Sequence, residues 1–150
     1  MEQARAFKAT VATHTDAGAK KSINEDAIGF RIPEDGLLST KGAVAVVADG
    51  VSSAEAGREA AHRSVEAVLD NYFTTPELWS VKHAIQKTLT DLNSELYDLG
   101  REMPDEARGY ICTLSLLVIK SHLAYLFHVG DSRIYRLSAK DGAFTQLTSD

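Results

Sequence analysis

The 150-residue sequence is poor in the features that mark secreted, membrane-spanning and nucleic-acid-binding proteins. Its single cysteine, Cys112, excludes an intramolecular disulfide and is typical of a reducing compartment, so we expect a cytoplasmic location. The longest apolar runs, such as residues 114–119, are far too short to cross a bilayer, and the polar residues 1–8 are unlike a signal peptide. We expect neither a membrane nor a nucleic-acid partner, because the net charge is -5 and no basic tract is interleaved with aromatic residues.

Apolar residues make up 44% of the sequence, which is enough for one domain with a sizeable core. Apolar periodicity and turn residues predict strands at 9–14, 27–32, 43–49, 110–119, 122–129, 133–138 and 144–147, with a loop at 33–42. Two long helices lie between the third and fourth strands. Strands, then helices, then an antiparallel meander indicate an α+β fold with helices packed on an antiparallel sheet.

The two helices are predicted from their caps and apolar stripes. Ser52 and Glu55 have the spacing of a capping box at the start of the first helix. Thr75 as N-cap and Pro76 as first helical residue would begin the second, and Gly100 would cap its end. The first helix carries an apolar face of Ala61, Val65, Val68, Leu69 and Tyr72, and the second a stripe of Leu78, Val81, Ile85, Leu89, Leu92, Leu96 and Leu99.

The segment at residues 43–53 stands out because a buried strand runs directly into a carboxylate. Six small or β-branched apolar residues precede Asp49, which Gly50 follows. An unpaired carboxylate at the rim of a core is costly, so Asp49 requires a cation, an arginine or backbone donors. The alternative is an ordinary strand-end aspartate that begins a turn.

Acidic residues occur at two further junctions between a strand and a loop. Glu25 and Asp26 precede the strand at 27–32, and Asp131 follows the hairpin at 110–129. Carboxylates gathered at one end of a sheet repel each other unless a cation joins them, and hard oxygen ligands suit Mg²⁺ or Mn²⁺. No Cys/His spacing indicates a zinc site. Acidic turn residues are also common without any metal, so this alternative stays open.

Five short motifs carry a resemblance to a known family. In chain order they are Asn24-Glu25-Asp26, Val47-Ala48-Asp49-Gly50, Cys112-Thr113-Leu114, Val129-Gly130-Asp131-Ser132-Arg133 and Leu147-Thr148-Ser149-Asp150. The ordered set resembles the metal-dependent serine/threonine protein phosphatases of type 2C, of the bacterial type, over residues 14–150. The run at 49–60 is similar to members joined to a protein kinase domain in one longer chain.

The resemblance implies an antiparallel β-sandwich flanked by helices, with two Mg²⁺ or Mn²⁺ ions at one end. Asp49 would bridge both ions, and Glu25 and the Gly50 carbonyl would complete the ligands of one of them. Asp26 would orient the attacking water, and Asp131 matches an aspartate that contacts a third ion in some bacterial members. The implied reaction is hydrolysis of phosphoserine and phosphothreonine on proteins by water bridging the metals.

Three departures from the family pattern matter for this function. Lys21 stands where an arginine usually grips the substrate phosphate, and Lys20 could share that role; both could instead be an ordinary solvated pair. Val51 stands where some relatives have a histidine. The chain ends at Asp150, before the family's later metal aspartates, so residues 1–150 are interpreted as the N-terminal part of one truncated catalytic domain.

Two functions therefore compete on the sequence. The first is a serine/threonine phosphatase that is inactive or weak in this shortened form. The second is a phosphatase-like regulatory or binding module without turnover. A sandwich that lacks later strands would expose apolar surface, so we also expect self-association or marginal stability.

Overall fold

A computed structural model of the protein describes residues 7–51, 54–103 and 109–149. Its elements in chain order are β1 (Asp26–Arg31), α1 (Leu37–Thr40), β2 (Ala43–Asp49), α2 (Ala54–Thr74), α3 (Val81–Arg101), β3 (Leu114–Lys120), β4 (Leu123–Val129), β5 (Tyr135–Leu137) and β6 (Phe144–Gln146). Strands β1 to β4 form one antiparallel sheet in the order β1-β2-β3-β4, and β5 pairs with β6 in a second, two-stranded sheet. The predicted α+β class with an antiparallel sheet is confirmed.

The core lies between the inner face of the four-stranded sheet and the two long helices. Alternate residues of a strand point to opposite faces, so Val44, Val46 and Ala48 of β2 are buried on the same side. They form one cluster with residues of β1, β3, α2 and α3, among them Val68 and Ile85. Helix α2 therefore covers the sheet, and α3 packs against α2.

Both helices bury the faces that their apolar periodicity predicts. On α2, Ala61, Val65, Val68 and Tyr72 are buried and Leu69 is partly buried; on α3, Val81, Ile85, Leu92 and Leu96 are buried. The predicted capping box lies outside the described residues, because it depends on Ser52. No helix in the described ranges is long and apolar enough to span a membrane.

The prediction for the start of the second helix is wrong. Helix α3 begins after Ser80, whose side chain accepts a hydrogen bond from the N–H of His83. Residues 76–79 form a turn closed by the Trp79 N–H and the Pro76 carbonyl, 3.1 Å apart, and Leu78 is fully exposed. The helix also continues past Gly100 to Arg101.

Beyond shifts of one or two residues at strand ends, three strands and loops differ from the sequence prediction. Residues 9–14, which are all described, do not form the expected strand. The strand expected at 110–119 begins at Leu114, and an isolated bridge between Gly50 and Cys112 precedes it. The expected loop at 33–42 contains the short helix α1, where the Asp35 carboxylate accepts from the Leu37 N–H at 3.0 Å.

Lys41 follows α1 and is buried, with only 1% of its surface exposed. Its Nζ donates to Thr75 Oγ1 at 2.6 Å and to the Pro76 carbonyl at 3.0 Å. The Tyr72 hydroxyl donates to the Lys41 carbonyl at 2.7 Å. Burial lowers the pKa of Lys41 because the charged form is disfavoured away from water.

The outer face of the four-stranded sheet consists of rows of residues that lie opposite each other on successive strands. One row contains Phe30, Ala45, Leu117 and Leu126, and the next contains Ile28, Val47, Ser115 and His128. Phe30, Val47 and Leu126 are between 38% and 48% exposed, so this face presents apolar side chains to solvent. The row beyond contains Asp26 and Asp49, at the end of the sheet.

Candidate active site

Two of the predicted site carboxylates lie directly opposite each other. The register of β1 and β2 pairs Asp26 with Asp49, so their side chains leave the same face of the sheet. Burial raises the pKa of Asp49, and a hydrogen bond with the Asp26 carboxyl raises that pKa further. The negative charge of Asp131 acts in the same direction, which places the third predicted acidic residue in the same electrostatic environment.

The backbone around Asp49 is bonded on both sides. The Gly50 N–H donates to the Glu25 carbonyl at 3.2 Å, which extends the pairing with β1. On the other side, the Thr113 N–H donates to the Asp49 carbonyl at 2.8 Å. The Asp49 N–H donates to the Thr113 side-chain oxygen at 3.3 Å. The chain segments on both sides of β2 therefore hold Asp49 at the end of that strand.

Gly50 lets helix α2 approach the end of β2 closely. A Cβ atom at this position would lie 2.3 Å from the Gly57 carbonyl carbon and 2.4 Å from its oxygen. Those atoms are backbone and cannot move aside without shifting α2. The absence of a side chain at Gly50 is thus a packing requirement, in addition to the carbonyl ligand role that the family resemblance implies.

Glu25 lies beside this pair and is paired with a cation of the chain itself. Its side chain is 10% exposed and forms an ion pair with Lys21, whose side chain is 62% exposed. This hydrogen bond raises the pKa of Lys21, with a further contribution from the negative charge of Glu25. Asn24 supports the segment by accepting from the Asp26 N–H at 3.0 Å.

Asp131 is exposed in the loop that follows β4. The loop starts with Gly130, which has a φ of +108° and rests against Thr113, so that a Cβ there would lie 2.5 Å from Thr113 Cγ2. Ser132 Oγ and Thr113 Oγ1 are hydrogen bonded at 3.0 Å. The loop carrying Asp131 is therefore attached to the same threonine that holds Asp49.

The donor set is chemically suited to a hard divalent cation. The carboxylates of Asp26 and Asp131 both raise the pKa of Asp49, and a lysine ammonium pairs with the fourth carboxylate, Glu25. Within the described parts of the chain, however, no three His, Cys, Asp or Glu side chains are arranged closely enough to form a complete metal site. These residues are therefore of the type that binds such a cation, but the described residues do not supply a complete set of ligands.

Two residues that the structure places beside this site have no role predicted from the sequence. Thr113 and Ser132 both occur in motifs that carry the family resemblance, but neither is acidic or basic. Ser132 directly follows Asp131 in the sequence, whereas Thr113 is adjacent to no predicted site residue. Only the tertiary contact between them shows what they do.

Known proteins resemble this chain in both sequence and fold. Residues 14–150 match the model of the family described as protein phosphatase 2C. Protein phosphatase PhpP of Streptococcus pneumoniae is 30% identical over 141 residues, covering 91% of this chain and 52% of PhpP. The serine/threonine phosphatase PstP/Ppp of Mycobacterium tuberculosis has a TM-score of 0.72 at 25% identity, covering 91% of this chain and 52% of that one.

A second structure of PstP bears on the metal. It contains the catalytic domain in complex with two manganese ions, and it also has a TM-score of 0.72 and 25% identity, with 54% of that chain covered. The chain spans about half the length of these relatives. Because the family match extends over residues 14–150, the chain belongs to the protein phosphatase 2C family.

Proposed function

We propose that this chain supplies part of a metal-dependent phosphatase site that hydrolyses phosphoserine and phosphothreonine on proteins. The observation that carries the proposal is the facing pair of Asp26 and Asp49 at the end of the sheet, in a chain of the protein phosphatase 2C family. The relatives named above are protein or serine/threonine phosphatases, and their coverage of about half supports a contribution to a larger site.

Each polar residue has a separate task in this proposal. Asp49, the Gly50 carbonyl and Glu25 would hold two Mg²⁺ or Mn²⁺ ions, and Asp131 a third. When bound, the ions supply Lewis-acid chemistry that neutralises charge on the phosphoryl oxygens and lowers the pKa of water. Asp26 would orient the attacking water by accepting a hydrogen bond from it.

Lys21 would contribute positive charge toward the substrate phosphate. Its ammonium is paired with Glu25, and its side chain is largely exposed to solvent beside the site. A lysine provides a point charge without the bidentate geometry of arginine, so phosphate would be neutralised but less strictly oriented.

A regulatory or binding module without turnover is the second candidate function. It is favoured by Lys21 at the phosphate position and by the incomplete metal coordination within the described residues. Such a module would keep the metal or phosphoprotein contacts while lacking hydrolysis. A cytoplasmic location, a protein kinase domain in the same parent chain and the assignment of 1–150 as the N-terminal part of one domain stay predictions.

Titration with Mn²⁺ and a phosphatase assay test both candidates on the 150-residue chain. We expect saturable Mn²⁺ binding by calorimetry and weak, Mn²⁺-stimulated hydrolysis of p-nitrophenyl phosphate and a phosphothreonine peptide. The Asp49→Asn variant should lose both. Asp98→Asn, which removes the same charge from an exposed position on α3, is the control and should lose neither.

The outcomes separate the candidates. Asp49-dependent binding with hydrolysis supports the phosphatase. Asp49-dependent binding without hydrolysis of either substrate favours the regulatory module. Hydrolysis that persists in Asp49→Asn would contradict the metal mechanism proposed here.

A further inference from the structure

Thr113 forms hydrogen bonds with two parts of the candidate site, Asp49 and the loop that carries Asp131. It is buried, with 6% of its surface exposed, although its side chain is polar. Its backbone N–H donates to the Asp49 carbonyl at 2.8 Å, and its hydroxyl oxygen accepts from the Asp49 N–H at 3.3 Å. Two hydrogen bonds therefore join Thr113, which directly precedes β3, to Asp49 at the end of β2.

The same hydroxyl reaches the loop after β4. Thr113 Oγ1 and Ser132 Oγ are 3.0 Å apart and share a hydrogen bond. A hydroxyl has one donor hydrogen and two acceptor lone pairs, so Thr113 can serve Asp49 and Ser132 at once. The methyl group of Thr113 faces Gly130, where an added Cβ atom would lie 2.5 Å from it, but the hydroxyl alone bonds the loop.

We infer that Thr113 is a positioning residue, whose hydroxyl holds the Asp49 backbone and the Asp131 loop in one fixed arrangement. These two segments are far apart in sequence: Asp49 ends β2, the Asp131 loop follows β4, and β3 lies between β2 and β4 in the sheet. β2 and β4 do not pair with each other, so the backbone connects Asp49 to the loop only through β3. The Thr113–Ser132 bond adds a side-chain link between the two segments.

The consequence for metal binding rests on the proposed function, whereas the positioning role does not. Residues that hold metal ligands in place typically change metal affinity by about ten- to a hundredfold when they are removed. The Thr113 hydroxyl is itself buried, so removing it leaves two half-buried partners, the Asp49 N–H and the Ser132 hydroxyl, without the bond that now joins them.

The test compares three variants of the 150-residue chain with wild type. Thr113→Val keeps the branched shape but removes the hydroxyl, and Thr113→Ser keeps the hydroxyl. Ser115→Ala is the matched control, because Ser115 lies two residues further along the same chain segment and bonds His128 Nδ1 at 2.9 Å, across β3 and β4. Amide hydrogen exchange by NMR reports on Asp49 and residues 130–132, and calorimetry reports on Mn²⁺.

In Thr113→Val we expect the Asp49 amide to exchange about tenfold faster or more, and the amides of the loop to shift. The affinity for Mn²⁺ should fall by about ten- to a hundredfold. Thr113→Ser and Ser115→Ala should both behave like wild type at these amides and toward Mn²⁺. If Thr113→Val does not fold, Ser132→Ala tests the loop contact alone and should perturb residues 130–132 while sparing the Asp49 amide.

Other results separate this inference from the proposed function. Unchanged exchange at Asp49 and the loop in Thr113→Val would overturn the inference, as would equal changes in Ser115→Ala. If Thr113→Val does not fold, an unperturbed loop in Ser132→Ala would also overturn it. Wild type that binds no Mn²⁺ but shows the expected exchange pattern would contradict the proposed metal function and leave the positioning role supported.

Discussion

Asp26 and Asp49 face each other across β1 and β2, so two carboxylates share the last row of the sheet. Like charges directly opposite each other on neighbouring strands destabilise a sheet. In the absence of metal, we therefore expect Asp26→Asn to stabilise the fold by up to about 1 kcal/mol. Chemical unfolding in the presence of a chelator measures this change.

The control for this prediction is Asp98→Asn, which changes the net charge equally on the exposed side of α3. It should leave the free energy of unfolding nearly unchanged. A loss of stability in Asp26→Asn, with no change in Asp98→Asn, would mean that the two carboxylates do not repel each other in the folded chain.

A second prediction concerns the close approach of α2 to the end of β2. Gly50→Ala would place a Cβ atom 2.3 Å from backbone carbon of Gly57, so the helix must shift. We expect a loss of about 1–3 kcal/mol, which is typical of overpacking. Gly36→Ala is the control, because a Cβ there meets nothing within 4 Å. Thermal unfolding that shows equal effects for both variants would contradict this account.

A third prediction follows from the burial of Lys41. Its pKa is lowered in the folded chain, so over pH values between that lowered pKa and the ordinary value of 10.5 the unfolded chain holds more protons. The free energy of unfolding should therefore rise with pH across this interval. The rise should be smaller in Lys41→Met.

Urea unfolding at a series of alkaline pH values measures the slope for Lys41. Lys87→Met is the matched control, because Lys87 is exposed on α3 and pairs with Asp91 at 2.5 Å. Its slope should follow that of wild type. A wild-type slope retained in full by Lys41→Met would show that another group causes the pH dependence.

The apolar outer face of the sheet leads to a fourth prediction. Phe30 and Leu126 lie in the same row across the four strands and are 48% and 38% exposed. Exposed apolar patches of this kind promote association. We expect the chain to self-associate as its concentration rises, and Leu126→Lys to reduce this association in sedimentation velocity experiments.

Leu78→Lys provides the comparison for this surface, since Leu78 is fully exposed but lies in the turn before α3. It should associate like wild type. A wild-type chain that stays monomeric and highly stable at all concentrations would contradict the expectation of self-association.

The sequence predicts an element well where its local pattern and its burial agree. The bounds of β2 are correct because an apolar run ends abruptly at Asp49 and Gly50. The predicted start of the second helix is wrong because the apolar spacing continues back to Leu78, whereas the turn at 76–79 leaves that leucine exposed to solvent. Periodicity alone does not distinguish a buried position from one that merely has the right spacing.

In the candidate site, too, some features can be predicted from the sequence and others cannot. The carboxylates are predictable because their charge and position at strand ends are visible in the sequence. The bond between Thr113 and Ser132 is not, since it depends on how the loop after β4 folds over the end of β3. The pairing of Lys21 with Glu25 lies between these cases, because the spacing of four residues permits the contact without requiring it.

Because β2 lies between β1 and β3 while Asp131 follows the edge strand β4, Asp49 and Asp131 are held with different firmness. Asp49 is bonded to both neighbouring segments, so it should separate from them only when much of the sheet unfolds. Asp131 follows the edge strand β4 and is exposed, so its side chain should be less restrained than that of Asp49, although its loop is bonded to Thr113 through Ser132. A ligand that contacts both residues would therefore lose entropy mainly by ordering Asp131, while Asp49 serves as the prearranged side of the site.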